Sequence, residues 1–296
     1  MDAWSTLRRP VRELRPGDHA WLAYRGADEH EHIAGAFVRG GLTAGHGVVC
    51  VTDGRPGAVP GVGLDVKVHE GGRQRLVPRA EACLAEGGFD PKRLYGRLRR
   101  EIRAARAAGG EQVWVTLDLS WAADRFEELV EWEQLLDEVV RDGENVLGMC
   151  QFDLRACTVE EATALAGHHS VLATADPDFD DSVLRLTRTF QPYGLRVEGE
   201  IDAARHAALS AALRALGDRA EEVHLDLAGL RFIDLGGLSL VADHAVRHGR
   251  HRTLVLDHVP GQLRMVMEIV GWQRLPGLRL GEPNAEPERV SRMGQW

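Results

Sequence analysis

An α/β protein of two domains is what this sequence predicts. Three observations carry that reading. Apolar runs of strand length alternate with amphipathic helical stretches from residue 17 onward, the alternation restarts on a smaller scale at residue 195, and 296 residues exceed what one hydrophobic core usually organises. The expected division is a mainly parallel-sheet domain over residues 1–188, a smaller α/β domain over residues 189–282, and a disordered tail over residues 283–296. In that tail Pro283 and Pro287 stand among charges without an apolar period.

The elements follow in chain order. Residues 19–24 read as a short strand, residues 31–42 as a helix with Ile33, Phe37 and Val38 available for packing, and residues 47–52 as a buried strand. Glycine and proline make residues 53–63 a loop. A short strand at residues 66–68 leads into a long helical stretch that breaks at Gly87-Gly88. The helix resumes after Asp90-Pro91, since Asp caps a helix and Pro suits its first turn. Residues 112–119 form an apolar strand with Val113, Val115 and Leu117. The helix over residues 125–140 then places Leu129, Trp132, Leu136 and Val139 on one side and stops at Asp142-Gly143. A strand over 146–152, a helix over 159–166 and a polar exit over 175–181 complete this half, with the boundary near residues 187–193. In the second half strands at 195–201, 223–227 and 253–256 alternate with helices at 203–216, 237–248 and 261–270. Leu209, Leu213 and Leu216 line the inner face of the first of these helices.

Composition excludes several functions. The formal charge of −9 disfavours nucleic acid as a direct partner, and the run Lys92, Arg93, Arg97, Arg99, Arg100, Arg103 and Arg106 reads as the solvated face of a helix whose stripe is Leu94, Leu98, Ile102 and Ala105. No stretch approaches the about 18 consecutive apolar residues of a membrane span. Arg8, Arg9, Arg12 and Arg15 are not followed by the apolar run of a secretory signal, so the expected compartment is the cytoplasm. Cys50, Cys83, Cys150 and Cys157 are scattered without a CxxC pair, which argues against a disulfide framework.

The motifs that would mark an enzyme are missing. Between the first strand and first helix the chain reads Arg25-Gly26-Ala27-Asp28-Glu29-His30, a loop with two carboxylates and no phosphate-binding GxxxxGK[ST]. No GxSxG elbow or dinucleotide-binding glycine pattern occurs. His244 and His248 have a spacing zinc accepts, with His251 nearby, but lack HExxH or a cysteine and read as a solvent-facing pair. Neither a metal nor another cofactor is expected. In a parallel sheet the strand ends meet at one edge, so Trp21, Tyr24, Asp118, Trp121 and Asp153 are expected to form a crevice there for a small, partly apolar ligand. His19 has three readings: a structural imidazole, a ligand contact or a metal ligand. The runner-up to a binding protein is an enzyme using Asp118, Glu133, Asp153 and His19 for acid–base chemistry, without any activated nucleophile beside them.

The segments Gly17-Asp18-His19-Ala20-Trp21-Leu22-Ala23-Tyr24, Asp118-Leu119-Ser120-Trp121-Ala122, Glu131-Trp132-Glu133, Cys150-Gln151-Phe152-Asp153-Leu154-Arg155 and His168-His169-Ser170-Val171-Leu172 stand in this order. Together they resemble the MEDS family, a sensory domain of methanogen and methylotroph regulators, over roughly residues 14–172. The resemblance implies a fold akin to RecA without its phosphate loop. It also implies a small-ligand cleft drawn from His19, Trp21, Tyr24, Asp118, Trp121, Glu133, Gln151, Asp153 and His169. Ser170 departs from the family, which commonly has proline after its second histidine, so this segment is expected to be held differently.

In the second half, Gly199-Glu200-Ile201-Asp202, Val223-His224-Leu225-Asp226-Leu227 and Phe232-Ile233-Asp234-Leu235-Gly236-Gly237-Leu238 are similar to the STAS family over roughly residues 190–280. Read alone, the junction over residues 225–238 is a buried strand that runs into a turn after Leu227, with Asp234 positioned to cap the next helix. The resemblance implies a four- or five-stranded sheet with helices on one face, and protein binding rather than catalysis. It assigns the partner surface to Asp202, Asp234, Leu235, Gly236, Gly237 and Ser239, and the partner to a kinase-like anti-sigma factor. Antagonist members are phosphorylated on a serine two positions after the aspartate. Gly236 stands there and has no hydroxyl, while Ser239 is either a substitute acceptor or an ordinary helix residue. The expected protein is therefore a non-enzymatic regulator of the anti-sigma-factor antagonist type with a sensory first domain. A ligand-independent scaffold and a homodimer both stay open.

Overall fold

The computed structural model describes residues 7–52, 72–85, 88–142, 145–217, 220–249 and 251–281. The expected loop at 53–63, strand at 66–68 and tail at 283–296 lie outside these residues. The chain divides into two compact units, Met1–Asp176 and Pro177–Trp296.

In the first unit the elements are β1 (Leu7–Pro10), β2 (His19–Tyr24), α1 (Ala27–Thr43), β3 (Gly47–Thr52), β4 (Gln74–Pro78), α2 (Arg79–Ala82), β5 (Leu84–Ala85), β6 (Gly88–Phe89), α3 (Pro91–Ala107), β7 (Val113–Asp118), α4 (Phe126–Asp142), β8 (Val146–Asp153), α5 (Val159–Ala166) and β9 (Val171–Thr174). Seven strands pair in the order β1-β9-β2-β8-β7-β3-β4, every pair parallel. The predicted α/β class holds, and helices cover both faces as an all-parallel sheet requires. On one face α1 presents Ile33 and Phe37, and Phe37 meets Trp114 of β7 with ring centroids 4.9 Å apart. On the other, Leu94 and Leu98 of α3, Leu129, Trp132 and Leu136 of α4, and Leu165 of α5 form one core with Trp21, Val115 and Cys150. Gly148 lets α4 approach closely: a Cβ there would lie 2.9 Å from Val140 Cγ2.

Two local expectations are corrected. The helical stretch expected before Gly87-Gly88 is instead strand β4 followed by the short α2. Residues 74–78 pair with β3, Cys50 opposite Leu76 and Val51 opposite Val77, so sheet hydrogen bonds outcompete a local helix. The polar exit expected at 175–181 is instead largely a strand, Pro177–Asp180, with which the second compact unit begins.

The second unit comprises β10 (Pro177–Asp180), β11 (Leu184–Phe190), β12 (Tyr193–Ile201), α6 (His206–Ala215), β13 (Glu222–Ile233), α7 (Leu235–His248), β14 (Thr253–Asp257), α8 (Gly261–Ile269) and β15 (Leu278–Leu280). Its sheet has six strands in chain order, where four or five were expected. β10, β11 and β12 are antiparallel, whereas β12 to β15 are parallel. The turn expected after residue 227 is also absent: β13 runs to Ile233 because it stays paired with β12 through two register shifts, ending with Glu200 opposite Phe232 and Ile201 opposite Ile233. Leu209, Leu213, Val241, Ala245 and Met267 close one core over this sheet. His244 is buried rather than solvent-facing, 4.6 Å from His248 between ring centroids, since α7 turns that side toward the sheet.

Gly199 sits at the second register shift with φ 106°, and a Cβ there would collide with the Val183 carbonyl oxygen. Both the left-handed backbone and the close strand approach call for glycine. Gly199→Ala is expected to destabilise the second unit by about 1–3 kcal/mol, read as a lower denaturant midpoint, with the melting of the first unit unchanged.

Candidate functional site

The side chains of chemical interest in the first unit form two separate groups. The first lies inside the core. Glu133, on the inner side of α4, directs Oε2 at His19 Nε2 of β2 (3.1 Å), His169 Nε2 (3.2 Å) and Cys150 Sγ of β8 (3.2 Å). None of the four is more than 7% exposed. His169 comes from the turn between α5 and β9, where its Nδ1 lies 2.8 Å from the Leu165 carbonyl and its ring stacks on Trp21 at 5.5 Å. Ser170 ties that turn to β2: its hydroxyl accepts from His19 N (3.1 Å) and donates to His19 O (3.2 Å).

Burial alone would push the Glu133 carboxyl up, but the imidazoles of His169 and His19 outweigh it and hold the group well below the ordinary carboxylate range. Burial, then the neighbouring His169, pushes the His19 imidazole down. Burial and the Glu133 charge together raise the Cys150 thiol well above its ordinary value.

The second group lies at the C-terminal strand ends, on the α1 side. Tyr24 donates to Asp118 Oδ2 at 2.8 Å and stacks on His30 of α1, ring centroids 4.2 Å apart. Donor polarity is fixed along one chain here. The Met149 carbonyl accepts from Thr116 Oγ1 (2.9 Å), Thr116 accepts from Gln151 Nε2 (2.5 Å), and Gln151 Oε1 therefore receives the proton of His30 Nε2. Ser120 donates to Asp118 Oδ1 (2.6 Å) and accepts from Asp153 N (2.7 Å), which joins the ends of β7 and β8. Trp121 donates from Nε1 to the Asp118 carbonyl and packs edge-on against Phe89.

In the second unit, the Ile201–Ile233 register sets two acidic caps side by side. Asp202 accepts from Ala204 N and pairs with Arg205 at 2.8 Å; Asp234 accepts from Gly237 N at 2.7 Å and from His206 Nε2 at 2.7 Å. The Gly237 amide, then His206, lowers the Asp234 carboxyl below its ordinary value. Beside this capped start of α7, Leu235 is 75% and Phe232 51% exposed. A Cβ on Gly236 would collide with the His206 ring. Ser239 donates back to the Leu235 carbonyl at 2.8 Å.

Residues 18–170, just over half of the chain, match the family described as MEDS: MEthanogen/methylotroph, DcmR Sensory domain. The chain belongs to the MEDS family. Behind that domain, residues 184–280 match the family described as Mlab, STAS domain. Among curated proteins, none matches the chain. Among solved structures, an anti-sigma factor antagonist from Mycobacterium paratuberculosis is 23% identical, with 29% of this chain and 74% of that one covered and a TM-score of 0.26.

Within the MEDS unit, the nine residues assigned by resemblance do not meet in one crevice. His19, Glu133 and His169, with Trp21 stacked on His169, occupy the buried group; Tyr24, Asp118, Gln151 and Asp153 occupy the edge group, and Trp121 stands behind Asp118. The reason is the two-residue period of a strand, which sends Cys150 and Gln151 to opposite faces of β8. Sequence reasoning missed Cys150, His30, Thr116 and Ser120. For Cys150 a signal existed: it shares its face of the strand with Gly148 and Phe152, the face covered by α4.

Burial, and then the Asp118 charge, raise the Tyr24 phenol above its ordinary value. A phenol whose folded value is raised contributes stability that is complete below pH about 10 and is lost as pH rises through the folded value. Alkaline titration of tyrosinate absorbance is expected to show a delayed fraction that disappears in Tyr24→Phe.

Proposed function

We propose that this protein is a signalling regulator of the anti-sigma-factor antagonist type, working in the cytoplasm, whose second unit docks a kinase-like anti-sigma factor at the start of α7. The observation that carries the reading is the exposure of Leu235 and Phe232 around the Asp234 cap. Uncovered apolar side chains beside a rigid, capped helix end favour a partner that removes them from water, and a few such residues dominate the binding energy of an interface. The STAS match over residues 184–280 supports a protein partner in particular.

Control at this surface does not use the serine switch. Gly236 offers no hydroxyl, and the place of a Cβ is taken by His206, which is engaged with Asp234. The helix start thus keeps one chemical state, and the MEDS unit governs when it is available. The edge group is the sensing region in this reading: a partly exposed Asp118 carboxylate beside the Tyr24–His30 stack suits a small ligand with an apolar part and a hydrogen-bond donor.

Calorimetry with a purified histidine-kinase-like anti-sigma factor tests the proposal. Wild type is expected to bind without prior phosphorylation or dephosphorylation. Leu235→Asp is expected to weaken binding by about 2 kcal/mol or more, about thirtyfold, while leaving the fold intact, because an acidic residue suits the first turn of a helix. Unchanged affinity in Leu235→Asp, or phosphorylation of Ser239 by that partner, would overturn the reading.

A further inference from the structure

We propose that the buried group of the MEDS unit is a metal site, in which His19, Glu133, Cys150 and His169 bind one divalent ion of the zinc class. The ligand-type atoms of these four residues lie within 4.8 Å of one another, and the contacts to Glu133 Oε2 are 3.1, 3.2 and 3.2 Å, with His19 Nε2 3.8 Å from Cys150 Sγ. Four donors bound tetrahedrally at about 2.0–2.3 Å stand about 3.3–3.6 Å from one another. The side chains are thus close to tetrahedral spacing, and small rotamer adjustments complete it.

The hydrogen-bond pattern around His169 points the same way. The Leu165 carbonyl only accepts, so the proton of a neutral His169 ring sits on Nδ1. Its Nε2 lone pair then faces Glu133 Oε2 at 3.2 Å, and this buried nitrogen makes no hydrogen bond. Two acceptors in a dry core are held together only by something shared between them: without an ion that is a proton, which supports the Glu133 charge, and a bound cation takes that proton's place.

Charge and softness select the ion. A thiolate and a carboxylate together cancel a divalent charge, so the loaded site is neutral inside the core. Two imidazoles, a thiolate and a carboxylate suit zinc and are wrong for magnesium or calcium, which take oxygen ligands. With four protein donors the coordination sphere is closed, the form of a structural rather than a hydrolytic ion. An outer partner is in place for His169, and a carboxylate stands near His19. The Leu165 carbonyl orients His169, and Asp137, one turn along α4 and paired with Arg141, lies 3.7 Å from His19 Nδ1. On binding, the Cys150 S–H bond breaks as the metal–sulfur bond forms and the proton leaves to solvent; nothing is oxidised or reduced. The site stands whatever partner the second unit binds, and it replaces the expectation that the protein takes no metal.

Titration of chelator-treated, full-length protein with cobalt(II) tests it. The expected result is saturation at about one ion per chain with a tetrahedral ligand-field spectrum and a thiolate-to-cobalt charge-transfer band, both displaced by zinc. Cys157→Ser, at a half-exposed cysteine outside the group, is expected to keep the band, and Cys150→Ser to lose it. A wild-type protein without the tetrahedral spectrum would overturn the proposal, as would loss of the band in Cys157→Ser. The wild-type and Cys157→Ser arms decide the matter even where Cys150→Ser does not fold.

Discussion

A carboxylate buried in the middle of a packed helix face is the constraint around which the MEDS unit is organised. Glu133 lies on the same side of α4 as Leu129 and Leu136, and a charge there is affordable only where polar groups replace the water it has lost. Those groups arrive from three separate places: His19 at the start of β2, Cys150 in the middle of β8, and His169 in the turn that precedes β9. Each contact fixes one more degree of freedom of α4 against the sheet. Gly148 and Ser170 serve the same end, the first by letting the helix come close and the second by fastening the His169 turn to the backbone of His19.

β8 connects this buried group with the polar network at the sheet edge. It lies between β2 and β7, buried on both faces, and successive residues serve different groups: Cys150 below, Gln151 above, and the Asp153 amide bonded to Ser120 at the end. A strand of this kind cannot shift on one face alone, because its backbone is held by hydrogen bonds to both neighbours. The edge group and the buried group are therefore held by the same rigid element.

In the second unit the comparable constraint is register. Parallel pairing that ends with Ile201 opposite Ile233 brings Asp202 and Asp234 to neighbouring strand ends, and the positive φ at Gly199 makes that pairing attainable. His206 then reaches across to Asp234 and fills the space over Gly236. The helix start is consequently built of glycine amides, a carboxylate and an imidazole, with apolar Leu235 and Phe232 outside them. Such a surface presents shape and apolar area around the capped helix start.

Periodicity alone determined much of this molecule. It set the α/β class, the strands at 19–24 and 47–52, the helix that follows Asp90-Pro91, the apolar stripe of α4, and the cap at Asp234, since each is a local pattern with a local physical cause. Short strands such as β1 and β9, which pair with each other from opposite ends of the first unit, carry too few residues for such a pattern, and β4 looks helical until its partner β3 is known. The grouping of side chains was decided only in three dimensions. Residues far apart in the chain, His19, Glu133, Cys150 and His169, meet because parallel strands and the helix crossing them bring distant positions to one level. Strand alternation then separated Gln151 and Asp118 from them, onto the opposite face of the sheet. A sequence lists which residues can carry chemistry; which of them share a solvent-free space depends on register and crossover, and these are properties of the packed sheet.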